Sequence, residues 1–184
     1  MGLQRLLPIC VRRVLVVARQ RCFPDTAAMI GQLVERAAVL GQIEAKNKDA
    51  ALKELLAAAQ ATASFSPEVY KALQKRLSER EAIGSTGLGN GVAVPHVKGD
   101  TVEGVTLVLA RCRGGLEWQA IDGRPVHIMF LLVSPTNEPE THLRCLRWIS
   151  TLARNTDFRR FLLDAADPAA MRDLLRELSP KDGK

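Results

Sequence analysis

The sequence predicts an α/β layered single domain, a mixed β-sheet flanked by helices on both faces. Three observations point there. Val126 to Val133 is almost wholly apolar, the pattern of a central strand covered from both sides. Several stretches repeat apolar residues at helical spacing behind recognisable N-caps, at Asn47, Ser66 and Asp167. Strands and amphipathic helices alternate along 184 residues, a length that fits one domain with appendages and buries a core without staples. Aromatics make up only 4% of the chain, so that core must be Leu, Val, Ile and Ala.

Taken in order, residues 1–28 do not read as part of the fold. Arg5, Arg12, Arg13, Arg19 and Arg21 stand there against Asp25 alone, so most of the formal charge of +6 lies in this stretch. Its apolar runs are broken by Arg12 and Arg13. Neither run approaches the roughly 20 residues of a membrane span, and the pair of arginines interrupts the apolar centre a secretory signal needs. Three readings remain open: a mobile extension, a basic segment touching anionic lipid, or untranslated sequence ahead of a start at Met29. The domain is expected over 29–178, with a polar tail at 179–184.

Met29, Ile30, Leu33 and Val34 make a helical turn, and Val39 to Glu44 reads as a strand. Asn47 caps a helix running to about Gln60, with Ala51, Leu52, Leu55, Leu56 and Ala59 on its apolar face. After a loop at Thr62 to Phe65, Ser66 and Pro67 start a second helix, with Glu68 in its first turn, where it suits the helix dipole. That helix turns Val69, Leu73 and Leu77 inward and should end near Arg80. Val92 to Val94 reads as a short buried strand, which Pro95 should end, presenting His96 at its tip. Thr106 to Arg111 is a strand, Gly114-Gly115 a turn, and Asp122-Gly123 a hairpin-type turn before the central strand. Ser134 to Asn137 forms a loop. Helices follow at Glu140 to Arg154, Asp157 to Asp164 and Pro168 to Leu178.

The chemistry concentrates between Arg80 and Lys98. Gly84, Gly87, Gly89 and Gly91 crowd into eight residues and let the backbone take positive φ and approach a ligand closely. Ser85 and Thr86 add hydroxyls. A single imidazole, His96, follows Pro95. Amides and hydroxyls beside one histidine suggest a phosphoryl group held next to a nucleophilic nitrogen. An imidazole is substantially neutral at cell pH and offers one nitrogen lone pair to phosphorus. Arg80 can clamp phosphate oxygens through its guanidinium fork.

Arg80, Glu81, Gly84, Ser85, Thr86, Gly87, Gly89, Gly91, Ala93, Pro95 and His96 stand at the spacing of a known signature. The run resembles the active-site sequence of the enzyme IIA domains of the fructose, mannitol and nitrogen-regulatory type, from the bacterial phosphoenolpyruvate:sugar phosphotransferase system. The resemblance implies an α/β fold and a phosphocarrier that accepts a phosphoryl group on His96 from HPr. It implies transfer to a IIB domain or, in nitrogen-type relatives, control of partner proteins by phosphorylation state. His142-Leu143 matches a second histidine that lies beside the phosphorylated one in that family, which implies an orienting or phosphate-stabilising role for His142. Arg80, Ser85, Thr86, Gly87 and Gly89 match the rest of the site. His127, inside the apolar strand with no polar neighbours in sequence, is read as structural.

Other chemistry is not expected. There is no GxxxxGK[ST] P-loop, and the glycines do not spell GxGxxG before a helix. No histidines stand at metal-ligand spacing, so neither a metal nor another cofactor is predicted. The body of the chain lacks the clustered basic residues and aromatic platforms of a nucleic-acid binder. Cys10, Cys22, Cys112 and Cys145 show no CxxC spacing and read as free thiols in a reducing cytoplasm.

Overall fold

The computed structural model describes residues 24–180. Along the chain come α1 (Pro24–Arg36), β1 (Ala38–Leu40), α2 (Lys48–Ala63), α3 (Pro67–Ile83), β2 (Gly87–Gly89), β3 (Val92–Ala93), β4 (His96–Gly99), β5 (Thr106–Leu116) and β6 (Val126–Pro135). Three helices follow: α4 (Pro139–Arg154), α5 (Thr156–Asp164) and α6 (Pro168–Leu178). The mixed sheet has the order β1-β5-β6-β3-β2, with β4 also paired to β6. β6 runs antiparallel to β5 and parallel to β3 and β4.

Each face of the sheet buries one layer of helices. Ile128, Phe130 and Leu132 of β6 face α1, α4, α5 and α6, together with Leu107 and Leu109 of β5. Met129, Leu131 and Val133 alternate to the other side, with Val108 and Ala110, against α2 and α3. This period of two explains why the run is almost wholly apolar: beyond the half-buried His127, neither face of β6 meets water.

The caps sit where the sequence puts them. Asn47 accepts from the amide of Ala50 at 2.9 Å, Ser66 from Val69 at 3.3 Å and Asp167 from Ala170 at 2.8 Å. Helix α2 runs on to Ala63, through part of the expected loop, and stops at Ser64 in the left-handed conformation. Helix α3 continues past Arg80 to Ile83.

Five expectations need correction. The first strand spans three residues instead of Val39 to Glu44, because the chain leaves the ladder at Gly41. A Cβ at Gly41 would come within 3.0 Å of Pro168. Residues 24–28, assigned to the extension, form the first turn of α1, where Thr26 and Ala27 are buried. The remaining readings of the extension concern residues 1–23, and those of the tail mainly residues 181–184; both lie outside the described residues. Strand β5 carries through Gly114-Gly115, its register shifting between Arg111 and Leu116, instead of turning there. β6 extends to Pro135, so Ser134 is a strand residue.

The most consequential correction concerns Pro95. It interrupts the strand without ending it. Ala93 pairs with Met129 and His96 with Leu132, so β3 and β4 keep one register along β6. Proline lacks a donor, but its carbonyl still accepts from the amide of Leu132 at 3.0 Å, and the ladder resumes at His96.

Candidate functional site

His96 opens β4 just beyond the end of β2, which pairs only with β3. The sheet edge there is met by the last turns of α3. Val94 and Val97 fall in opposite core layers, and alternation turns His96 to the side of α4. Its Nδ1 lies 2.8 Å from the carbonyl oxygen of Val94. A carbonyl only accepts, so Nδ1 carries the proton. Nε2 keeps a lone pair, which accepts a hydrogen bond from Arg80 Nε at 3.2 Å. Burial, with the nearby Arg80 charge, holds the His96 pKa below the usual histidine value, against the Val94 carbonyl that raises it. The ring is neutral at cell pH, with its nucleophilic nitrogen held by a guanidinium.

Arg80 stands in the last turn of α3. Its Nη1 donates to the carbonyl of Gly84 at 2.9 Å, which pins the side chain across the start of the glycine run. His142 lies in the first turns of α4, its ring centroid 5.6 Å from that of His96 and tilted by 59°. It is buried, and its Nδ1 sits 2.7 Å from Ser134 Oγ. Burial first, then the neighbouring His96 and Lys98, drive its pKa down to about 4, so this second imidazole is also neutral.

The structure thus brings together Arg80 and His96 of the local motif with His142 from a distant helix. It gives the hydroxyls and the glycines of the expected phosphate loop other roles. Thr86 Oγ1 donates to Glu81 at 2.6 Å, and its amide donates to the same carboxylate. Ser85 donates to the carbonyl of Trp118 at 2.8 Å. Gly87 lies against the segment after β5, where a Cβ would come within 2.7 Å of Ala120 Cα. Gly89 has φ of +83° and borders Asp122. These residues shape the wall behind the site. Glu81, in the motif but given no role from sequence, is the buried carboxylate that anchors them, with Lys48 3.5 Å away.

His127 donates to or accepts nothing near the site; its Nδ1 lies 3.1 Å from the Cys112 carbonyl, with Gly91 and Gly115 packed against its ring. Cys112 and Cys145 are buried free thiols. Burial pushes the Cys145 thiol up to about 12, which removes it as a nucleophile. Ser134 is the residue sequence reasoning missed, because it was placed in a loop.

The fold that carries these two imidazoles and the guanidinium is that of the EIIA components of the phosphotransferase systems. Within that class the chain is a member of the family described as phosphoenolpyruvate-dependent sugar phosphotransferase system, EIIA 2, whose model matches residues 32–178. A nitrogen regulatory protein of Bradyrhizobium diazoefficiens is 33% identical over 146 residues, 79% of this chain and 94% of that protein. The fructose-specific EIIABC component of Bacillus subtilis is 27% identical over 148 residues, 80% of this chain but only 23% of that protein's length. The crystal structure of nitrogen regulatory protein IIA-Ntr from Neisseria meningitidis superposes with a TM-score of 0.67 at 30% identity, covering 79% of this chain and 98% of that one.

Proposed function

We propose that this protein is a cytoplasmic phosphocarrier that accepts a phosphoryl group on Nε2 of His96 from the phosphohistidine of an HPr-like protein and passes it to a IIB domain. The observation that supports this is the state of His96: neutral, with Nδ1–H committed to Val94 and the Nε2 lone pair facing Arg80. In the transfer the Nε2 lone pair bonds to phosphorus as the donor's P–N bond breaks, and the donor imidazole keeps that electron pair. No proton leaves His96, because Nδ1–H stays on the carbonyl. Arg80 turns from the nitrogen to the equatorial oxygens, where charge is greatest. The docking face offers exposed apolar side chains beside the polar groups of the site, Ile83 after Arg80 and Leu143 after His142.

The test is incubation of the full chain with phosphoenolpyruvate, enzyme I and HPr. The expected result is a gain of about 80 Da, one phosphoryl group, that is lost in acid and absent from His96→Ala. Uptake of acid-labile phosphate by His96→Ala would overturn the assignment.

A second reading is favoured by the match to nearly the whole Bradyrhizobium nitrogen regulatory protein. In it the phosphorylation state of His96 controls binding to a partner without sugar transport. Capture of a partner by wild type that is lost on phosphorylation, and kept by His96→Ala, supports this reading; transfer to a IIB domain supports the first.

A further inference from the structure

We infer that Ser134 fixes the tautomer and orientation of His142, donating its hydroxyl hydrogen to Nδ1 so that Nε2 carries a proton as a ready hydrogen-bond donor beside His96. Ser134 is thus a positioning residue, and the role rests on the phosphocarrier reading above.

The argument begins with strand periodicity. Ile128, Phe130 and Leu132 face the α4 layer, and the next residue in that series is Ser134. It is the one polar side chain of the series and has no solvent exposure. Its Oγ lies 2.7 Å from His142 Nδ1 and has no other hydrogen-bond partner among the described residues. Two arrangements fit that distance. If Nδ1 donated, the serine hydrogen would be buried without an acceptor. If the serine donates, its hydrogen is satisfied and only oxygen lone pairs go unused. An unmet buried donor is the costlier state, so the serine donates and Nδ1 holds the lone pair. The ring is neutral, so its single proton is on Nε2.

Nε2 has no hydrogen-bond partner among the described residues. No buried side-chain nitrogen or oxygen among the described residues lacks a partner, so Nε2 keeps some solvent contact beside the His96 ring although the residue as a whole is buried. A neutral N–H there can stabilise the anionic oxygens of a phosphoryl group on His96. The opposite tautomer would turn a lone pair toward them. Held this way, His142 donates a hydrogen bond without titrating.

The experiment has two arms on the full chain. First, imidazole ¹⁵N NMR of the unphosphorylated wild type reads the tautomer directly: protonated Nε2 and bare Nδ1 are expected for His142, with the pattern blurred in Ser134→Ala. A protonated Nδ1 in the wild type overturns the inference. Second, phosphoryl uptake from phospho-HPr is timed at saturating donor. Ser134→Ala should lower the maximal rate about tenfold with an unchanged KM, and Ser134→Thr should restore it. Ser134→Ala added to His142→Ala should cost nothing further. A Ser134→Ala variant that folds and transfers at the wild-type rate also overturns the inference. If the wild type takes up no phosphoryl group, the phosphocarrier reading fails, while the NMR arm still decides the tautomer.

Discussion

His96 can act as a nucleophile because its two nitrogens have been given different neighbours. The Val94 carbonyl accepts a hydrogen bond from Nδ1–H, and Arg80 leaves Nε2 only a weak bond to break at 3.2 Å. Burial lowers the pKa of this ring, which disfavours its charged form. Phosphoryl uptake should therefore stay level as pH falls from 8 to 6.5 and decline only below the ordinary histidine value; a decline already centred at pH 7 or above would contradict this. Arg80→Lys keeps the charge but loses both the Nε bond to His96 and the fork that reaches Gly84. Uptake should fall on the order of a hundredfold, with the thermal midpoint unchanged, measured by rapid quench and by thermal melts. His96 and Arg80 were legible in the sequence because their motif is local. Ser134 was not, although its signal was there: it stands on the same face of the strand as Ile128, Phe130 and Leu132. A Ser-Pro pair reads as a loop, and here the central strand simply runs one pair further, its backbone paired with Lys98 and Gly99.

At the scale of elements, the glycine-rich run is a piece of sheet edge. Gly87 and Gly89 form β2, and Asn90-Gly91 turns the chain back into β3 with positive φ at both residues. The segment that covers this edge is Trp118 to Asp122. The amide of Ile121 donates to the carbonyl of Gly87, the Trp118 indole donates to Thr86 Oγ1, and Asp122 accepts from the amide of Asn90. These partners are some thirty residues away in sequence, so no local pattern announces them; the motif showed that glycine was required but not what required it. Gly87→Ala places a methyl 2.8 Å from Ala120 Cβ. Overpacking of this kind should cost roughly 1–3 kcal/mol, seen as a lower denaturant midpoint with an unchanged m-value. Gly84→Ala meets no atom within 4 Å and has an extended φ of 174°, so it should leave stability nearly untouched. Equal effects at the two positions would remove the packing argument.

For the whole molecule, the helical faces and the central strand were readable from periodicity, while the order of strands was not. Parallel pairing of β1 with β5, or of β4 with β6, joins segments whose apolar patterns fit several neighbours equally well. The resulting topology sets His96 and His142 side by side at the rim of the α4 layer, and this has a consequence for global stability. The folded protein holds His142 with a pKa of about 4, whereas the unfolded chain exposes an ordinary imidazole near 6.5. Between those values the unfolded chain binds a proton that the native state refuses. Stability is therefore fully present above pH 6.5 and is lost as pH falls toward 4, by about 3 kcal/mol. His96, shifted in the same direction, adds to the fall. Carboxylates with lowered pKa values, such as Asp100 and Asp122, act in a lower window, since their native pKa lies below the ordinary 3.8. Urea titrations of the wild type and His142→Gln at pH 7, 6, 5 and 4 separate the two. The glutamine variant cannot take up a proton, so its stability should fall less steeply between pH 6.5 and 4. Parallel curves for the two proteins would mean that His142 protonates as readily folded as unfolded, and that the α4 rim does not hold it dry.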